Sequence, residues 1–508
     1  MNFRKKYETA IIFFLISVFG LLITSKINLV TADLGRHLKN GEIILKTFSV
    51  PKTNLYSYTN PLYSFVNHHW GSGVIFYLIQ QTLGFAGLSI FFTVVSLMTF
   101  LLFFRVALKK SSFIVVATTS LFVIPVLASR NEIRPEIFSY LFCGIFLLIL
   151  TAIKEKEASE RWLFLLPFLE IFWINLHIYF WLGFFLLGVF FLGELLKARG
   201  WKRMACLGGV FLAMLGTAML NPAGLKGFLY PFKIFGNYGY RLFENQSVWF
   251  LDKIVAYPPN LYFKIIFGVL VLSWIYVLVK RRNFSLGLVL FSVFFSYLAW
   301  TAVRNFTLFG YFALIVIAAN FGQEKKTEVK TGVEFLAIFS LLSLILFCLF
   351  MINSSYWLGK IRLGIGLKEK NVQAANFFRE QNLKGPIFNN YDNGGYLIYF
   401  LYPQERVFVD NRPEAYPKDF FEKIYVPMQE NEENWGKMEK EYGFNTIFFY
   451  RHDLTPWAQN FLLNRVSDPT WAPVFVDDYS IIFVKRNELN QEVIKNFELP
   501  KEMFFVFR

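Results

Sequence analysis

The sequence predicts a mainly α, polytopic bundle of about eleven transmembrane helices, followed by a C-terminal α/β domain outside the membrane. Hydrophobic residues make up 55% of the 508 residues and charged residues only 17%, and a soluble chain of this length could not bury so much apolar surface. Apolar runs long enough to cross a hydrocarbon core of ~30 Å recur up to residue 352. After residue 371 the pattern changes to short strands and amphipathic helices.

The predicted spans are the apolar runs themselves. The first is too long for a signal-peptide core and no small-residue cleavage site follows it, so we expect it to be retained. The runs lie at 9–30, 88–104, 112–128, 137–153, 162–177, 179–196, 205–220, 262–279, 284–302, 305–321 and 333–352.

Lysines and arginines predict the orientation of the spans. The basic residues 4–6 precede the first span and place the N-terminus in the cytoplasm. The later basic loops all fall on the same side if the stretch 73–84, which is short and contains Gln80 and Gln81, does not cross. We therefore predict a surface helix at 73–84 and a multi-pass protein of the bacterial cytoplasmic (inner) membrane, with its C-terminal domain extracytoplasmic.

Four regions follow from this pattern. Residues 1–352 form the membrane domain with a long first outer loop (31–87), 353–370 a linker, 371–486 the α/β domain and 487–508 a tail. Within the α/β domain, helices are predicted at 371–381 and 433–443, and strands at 385–390, 406–411, 445–450, 472–478 and 480–486, with a hairpin around residues 478 and 479.

Charge and cysteine content exclude two classes of protein. The formal net charge is +15, but the basic residues lie between apolar runs, where they determine topology, so no nucleic-acid partner is predicted. Cys143, Cys206 and Cys348 lie in or beside apolar runs, which excludes a disulfide framework or a Cys-based zinc site in the C-terminal domain.

The stretch "VTADLGRHLKNGEII" (30–44) follows the first span. Read as a helix, it places Asp33, Arg36, His37 and Asn40 on one face at i, i+3, i+4 and i+7. A helix with this division is typical of a membrane surface. It would hold a carboxylate beside basic groups at the lipid–water boundary.

Ionisable residues from several segments are predicted near the same outer boundary. Charges at the ends of spans are costly unless they are paired or face water, so a shared polar pocket is expected. Arginine suits phosphate oxygens and a carboxylate can accept a proton from a hydroxyl; in the alternative interpretation the arginines snorkel and the histidines cap turns. The candidate site residues are Asp33, Arg36, His37, His68, His69, Arg130, Glu132, Arg134, Glu136, Asn175, His177 and Arg304.

Three further motifs contain residue types that can bind other ligands. His68 and His69 are possible zinc ligands, but adjacent side chains point in different directions and no carboxylate or Cys stands at ligand spacing, so no metal site is predicted. "NNYDNGGYL" (389–397) matches no nucleotide loop and is interpreted as a structural turn. In "FVDNRPEAY" (408–416), Asp410 and Arg412 either pair with each other or face the membrane-side pocket.

The arrangement resembles the GT-C glycosyltransferases, membrane enzymes that use polyprenyl-phosphate sugars and include protein O-mannosyltransferases and aminoarabinose transferases. The resemblance rests on the acid after the first span, the long outer loop, "HHWGSGVIFYLIQQTLG" in the place of the juxtamembrane helix, and "SRNEIRPEIFSYL" in the second outer loop. Signatures such as "NLH" and "LNPAG" are similar to those of related bacterial membrane proteins. Two features depart from the family pattern: Leu34 follows Asp33 where many members have a second acid, and His68-His69-Trp70 replaces a Lys-Pro-Pro type motif.

The resemblance implies an inverting, hexosyltransferase-like enzyme that takes a sugar from a polyprenyl-phosphate carrier on the outer face. Asp33 would then be the catalytic base, Glu132 or Glu136 a second acid, and the outer-loop basic residues would hold the carrier phosphate. The acceptor would be a glycan, lipid or protein, membrane lipids would surround the enzyme, and no cofactor would be needed, although a divalent metal is compatible.

Two other functions stay open. A lipid-glycan transporter or flippase would need charges buried in mid-span, whereas Glu170, Glu194 and Glu334 are expected nearer span ends. A non-catalytic cell-envelope assembly protein would act through its C-terminal domain.

Overall fold

The computed structural model describes residues 2–197, 200–234, 236–322 and 364–504, with side chains from residue 6 onward. The chain divides into two compact units. The first comprises Met1–Lys26, Ser89–Gly224 and Leu242–Ile365, and the second comprises Ile27–Leu88, Leu225–Arg241 and Gly366–Arg508. The domain boundaries drawn from the sequence stay predictions.

Ten apolar helices overlap the first ten predicted spans, although the first helix ends at Ile23 and so the prediction that the first span extends to residue 30 is wrong. They are α1 (Asn2–Ile23), α3 (Trp70–Leu108), α4 (Phe113–Leu127), α5 (Glu136–Lys154), α6 (Leu165–Leu176), α7 (Trp181–Leu195), α8 (Trp201–Thr217), α11 (Pro258–Val279), α12 (Leu286–Thr301) and α13 (Phe306–Phe321); the shorter α2 (Leu34–Thr47), α9 (Leu225–Phe228) and α10 (Val248–Ile254) lie between them. Six helical segments of the described chain are long and apolar enough to cross a membrane, which supports a multi-pass membrane protein. The number of spans stays a prediction, and the run 333–352 lies outside the described residues.

Gly84 separates two helices within α3. The predicted surface helix at 73–84 lies before it and the next predicted span lies after it, and the backbone at Gly84, with a φ of +64°, is not helical. Glycine adopts this conformation without the steric cost that a side chain would bring. A helix at 73–84 is therefore confirmed as an element separate from the helix that follows, and its place at the membrane surface stays a prediction.

In the first unit, α13 is the central helix. All its residues except the last are buried, as expected of a helix that is apolar on every side. It packs against α4, α11 and α12. Stacked rings such as Phe263–Phe306 and Phe295–Phe312 fill these contacts, so the bundle core is largely aromatic.

The second unit contains a four-stranded sheet: β1 (Ile387–Asn389), β2 (Thr446–Tyr450), β3 (Trp471–Val476) and β4 (Ser480–Lys485). The order is β1-β2-β4-β3, with β1 parallel to β2 and the other pairs antiparallel. The predicted hairpin is thus confirmed. The accompanying helices are α14 (Gln373–Glu380), α15 (Gly394–Leu401), α16 (Pro427–Glu430), α17 (Glu432–Tyr442), α18 (Ala458–Ser467) and α19 (Gln491–Phe497).

The prediction of a strand at 406–411 is wrong. Only one bridge forms there, between Val407 and Ser57. Side chains make the hydrogen bonds of the neighbouring backbone. The Asn389 side chain accepts from the amide of Phe408, and the hydroxyls of Ser57 and Thr59 donate to the carbonyl of Phe408. The backbone of this segment therefore bonds to these side chains and to the backbone of Tyr56 and Tyr58, and it does not join the sheet.

Helix α2 forms where the sequence predicts it, but it is buried on both predicted faces. Within the second unit it packs against α15. A Cβ added to Gly35 would lie 2.4 Å from the Gly395 carbonyl oxygen, and one added to Gly41 would lie 2.2 Å from that of Gly73. The expected amphipathic surface helix is therefore an internal helix that touches two other helix backbones.

Candidate functional site

Asp33 occupies the N-cap position of α2 and is partly exposed. Its Oδ1 accepts a hydrogen bond of 2.5 Å from Nδ2 of Asn411. Asn411 follows the buried segment around Phe408 and lies just past Asp410. One amide from the C-terminal segment therefore orients the predicted catalytic acid.

Arg36 lies one turn further along α2 and is only 5% exposed. Its Nε donates to Oδ1 of the same Asn411 at 3.4 Å, and its Nη2 lies 3.4 Å from Nε2 of His37. Burial raises the pKa of the Glu414 carboxyl, and the nearby Arg36 offsets only part of that effect. The acid Asp33 is thus accompanied by a buried guanidinium and a second carboxyl group.

The three predicted histidines of the second unit lie together. The ring centroids of His37 and His69 are 5.5 Å apart, and those of His68 and His69 are 3.8 Å apart. His68 also contacts the ring of Tyr230 at 5.1 Å. Among the described residues, no group of three His, Cys, Asp or Glu side chains is placed to hold a metal ion; metal independence stays a prediction.

Asp410 and Arg412 pair with each other, which resolves the alternative left open by the sequence. Their closest oxygen and nitrogen are 2.7 Å apart, and both side chains are at most 1% exposed. Tyr416 donates to Asp410 and Arg412 donates to Asn54. This buried network fixes the segment that carries Asn411.

The glycine turn at 389–397 has structural partners. Asn389 donates to the Val409 carbonyl and Asn393 donates to the Phe448 carbonyl. A Cβ on Gly394 would lie 2.4 Å from Cα of Asp410. These contacts support a structural role for the turn. They also explain why a glycine occupies position 394, where the turn packs against the segment 408–411.

In the first unit, the predicted arginines converge on a carboxylate that the sequence reasoning did not single out. Glu244 lies 2.9 Å from Arg130, 3.0 Å from Arg134 and 3.7 Å from Arg304. Arg130 also makes a bidentate pair with Glu136, and Arg134 pairs with Glu132. Three guanidinium groups therefore face three carboxylates, which we call the arginine cluster.

The electrostatics of the arginine cluster are dominated by its arginines. Burial alone would raise the pKa of Glu244, but the attraction of Arg134, Arg130 and Arg304 outweighs it and holds that pKa well below its usual range. Conversely, Glu136 and Glu244 more than offset burial and raise the pKa of Arg130. A cavity of about 10 Å³ borders Arg130, Glu132 and Glu136, which is room for roughly one water molecule.

Asn175 and His177 have structural partners. Asn175 donates to the carbonyls of Ile171 and Leu220. His177 is 2% exposed and its Nδ1 lies 2.7 Å from the Ser139 hydroxyl. These contacts fit the turn-capping interpretation of His177, and they give Asn175 a structural role.

The structure thus groups the predicted site residues in two sets. Asp33, Arg36, His37, His68 and His69 belong to the second unit, and the other seven belong to the first. Sequence reasoning missed Asn411, Glu414 and Glu244. Glu244 had one available signal: three arginines near two glutamates call for a third counter-charge when the group is buried.

Comparisons with solved structures identify the fold. The oligosaccharyltransferase AglB of Archaeoglobus fulgidus, solved with an inhibitory peptide and a dolichol-phosphate, is similar over 96% of this chain and 77% of its own, with a TM-score of 0.60 and 10% identity. ArnT from Cupriavidus metallidurans, bound to undecaprenyl phosphate, is similar over 95% of this chain and 99% of its own, with a TM-score of 0.53 and 12% identity.

The arabinofuranosyltransferase AftD from Mycobacteria is similar over 95% of this chain and 40% of its own, with a TM-score of 0.53 and 12% identity. No family model and no curated protein sequence matches the chain. The fold is that of the GT-C glycosyltransferases, so the resemblance derived from the sequence is confirmed at the level of the fold.

Proposed function

We propose that this protein is a membrane glycosyltransferase that transfers a sugar from a polyprenyl-phosphate carrier to an acceptor on the outer face of the cytoplasmic membrane. The observation that carries the proposal is the oriented acid: Asp33, at the start of a buried helix, is held by Asn411 beside Arg36. Support also comes from the fold, because AglB and ArnT were solved with polyprenyl-type phosphates.

In the proposed reaction, the Asp33 carboxylate takes the proton of the acceptor nucleophile. The acceptor oxygen attacks the anomeric carbon of the sugar, and the bond from that carbon to the carrier phosphate breaks. The electron pair leaves with the polyprenyl phosphate, and the configuration inverts. Positioned proton transfer of this kind contributes roughly 10²–10⁴-fold to a rate.

Basic residues stabilise the departing phosphate in this proposal. Arg36, beside Asp33, is the candidate donor in the second unit, and Arg130, Arg134 and Arg304 are a separate candidate set in the first unit, since guanidinium groups match phosphate geometry. The arginine cluster is already neutralised by Glu132, Glu136 and Glu244. A phosphate bound there must therefore displace a carboxylate, for which Glu244 is the candidate.

The proposal is tested by Asp33→Asn in a transfer assay with a lipid-linked sugar donor. We expect transfer to fall about 10²–10⁴-fold while thermal stability and membrane insertion match the wild type. Asp419→Asn is the matched control, because this acid is exposed and pairs with Lys423, four residues further along the chain. Full transfer by Asp33→Asn would remove Asp33 from the mechanism.

A second candidate function, a proton-coupled lipid-glycan transporter, is favoured by Glu170. The sequence placed this acid near a span end, but it lies in the middle of α6 and is fully buried. Neither of its carboxyl oxygens has a hydrogen-bond partner among the described residues, and buried ionisable groups in spans often mark transport pathways. A vesicle assay of lipid-glycan flipping distinguishes the two: Glu170→Gln should block flipping if the protein is a transporter and leave sugar transfer intact if it is not.

A further inference from the structure

A cavity of about 510 Å³ lies among the helices of the first unit. It is bordered by the C-terminal ends of α3, α5, α7 and α13 and by the start of α12. Its walls are mostly apolar and include Leu147, Leu150, Leu186, Val189, Phe291 and Ile315. Its volume lies within the roughly 300–1,000 Å³ that small ligands occupy, so it can accept part of a hydrocarbon chain.

Lysines Lys110, Lys154 and Lys197 contribute to the lining of this cavity, together with Glu194. Glu194 is paired with Arg203 at 3.0 Å, and Lys110 is paired with Glu155. Within the described residues, no ion pair joins Lys154 or Lys197. The cavity therefore combines apolar walls with an excess of positive charge, because three lysines line it against Glu194, although Glu194 and Glu155 both attract Lys154.

This cavity is distinct from the arginine cluster. Helix α5 begins at Glu136, which belongs to the arginine cluster, and ends at Lys154, which lines the cavity. A helix of 19 residues is about 28 Å long at ~1.5 Å per residue, close to the ~30 Å thickness of the hydrocarbon core. The two sites thus lie at opposite ends of a membrane-length helix.

We propose that the cavity binds an anionic membrane lipid, with an acyl chain between the helices and the phosphate on Lys154 and Lys197. Basic pockets between transmembrane helices attract acidic headgroups. A zwitterionic lipid would bring its own ammonium group next to the two lysines and lose this advantage. The proposal concerns a site that plays no part in sugar transfer, so it stands independently of the proposed function.

The headgroup contact is tested on the full-length protein by measuring binding of phosphatidylglycerol, phosphatidylcholine and free glycerol phosphate by native mass spectrometry and by shifts in Tm. We expect phosphatidylglycerol to bind most tightly. Lys154→Gln with Lys197→Gln should weaken it roughly thirtyfold, at about 1 kcal/mol per lysine and 1.4 kcal/mol per tenfold change. Lys202→Gln with Lys280→Gln is the control, because these lysines are exposed and do not line the cavity.

The acyl-chain contact is tested with Gly193→Phe. Gly193 lines the cavity, and a Cβ added there would meet no atom within 4 Å, so the ring can enter without a backbone clash. We expect it to displace phosphatidylglycerol while the Tm of the lipid-free protein is unchanged. Gly188→Phe on the same helix is the control, since its Cβ position is equally open but lies outside the cavity lining.

Four results would overturn the proposal. The first is phosphatidylglycerol binding no tighter than phosphatidylcholine binding. The second is an equal loss of binding in the Lys202/Lys280 control, which would indicate general surface charge. The third is unchanged binding in Gly193→Phe. Binding of free glycerol phosphate as tight as that of the lipid would mean that the site takes a soluble phosphate instead.

Discussion

Asn411 donates a hydrogen bond to Asp33 across 378 residues of sequence. The carbonyl oxygen of the same side chain accepts from Arg36. This neutral amide thereby connects the acid at the start of α2 with the guanidinium one turn later, and both orientations depend on the C-terminal segment.

The first prediction concerns Asn411 as a positioning residue. Asn411→Leu should lower kcat by up to about 100-fold with little change in KM, because a misoriented base slows the chemical step more than it weakens binding. Asn411→Gln keeps the amide and should recover part of the rate. Asn376→Leu, at a partly exposed position of α14 where the side chain accepts from Arg379, is the control. An unchanged kcat in Asn411→Leu would contradict the assignment.

The second prediction concerns Glu244. Glu244→Gln should destabilise the protein by about 3 kcal/mol, because it leaves part of the arginine cluster without its counter-charge. It should also lower KM for the anionic donor, since no carboxylate then competes with the phosphate. Exposed Glu157→Gln, which affects only the pair with Lys109, should do neither.

The stabilisation by Glu244 also depends on pH. Its pKa in the folded protein is lowered from 4.5, so the stabilisation is fully present above about pH 4.5 and is lost as the pH falls toward the folded-state pKa. The difference in Tm between wild type and Glu244→Gln should therefore narrow below about pH 4.5. A difference that stays constant down to pH 3 would disagree with this account.

The third prediction concerns the buried pair Asp410–Arg412. Asp410→Asn should cost about 3–5 kcal/mol, since it leaves a buried guanidinium without its carboxylate. Replacing both residues with Leu and Met should cost less than the single change, because no unpaired charge remains. Thermal unfolding of the two variants measures this ordering, and Asp419→Asn serves as the exposed control. Equal losses in all variants would show that the pair carries little coupling energy.

The fourth prediction concerns close helix packing. Gly35→Ala should destabilise the protein by roughly 1–3 kcal/mol, since its Cβ would lie 2.4 Å from a backbone oxygen that cannot rotate away. Gly436→Ala in α17, where nothing lies within 4 Å, should instead be neutral or stabilise by up to about 1 kcal/mol. Similar Tm values for the two variants would contradict the packing described for α2.

The helices were predictable from sequence because apolar runs of membrane length admit few other structures. The helix around Arg36 was also predictable, since its spacing is specific. The segment 406–411 was not: its alternation of apolar and polar residues fits a strand, but whether a strand forms depends on a partner. Here the side chains of Asn389, Ser57 and Thr59 hydrogen-bond to the backbone amide and carbonyl of Phe408, which are then not available to a neighbouring strand.

The site was predictable only in part, for a similar reason. Charged residues stand out in an apolar sequence, so Asp33, Arg36 and the arginines were found. Asn411 is neutral and distant in sequence, and in the motif 408–416 the charged Asp410 and Arg412 beside it drew the attention. Its role arises from the fold of the C-terminal segment and from the buried pair beside it, neither of which a local pattern encodes.

Glycine meets glycine twice along α2: Gly35 faces Gly395, and Gly41 faces Gly73. Because the backbones are in direct contact at these positions, no flexible side chain lies between them that would let α2 slide or rotate. The carboxylate at its start is consequently held in a fixed position within the second unit, and under the proposed mechanism the substrate would have to move to Asp33.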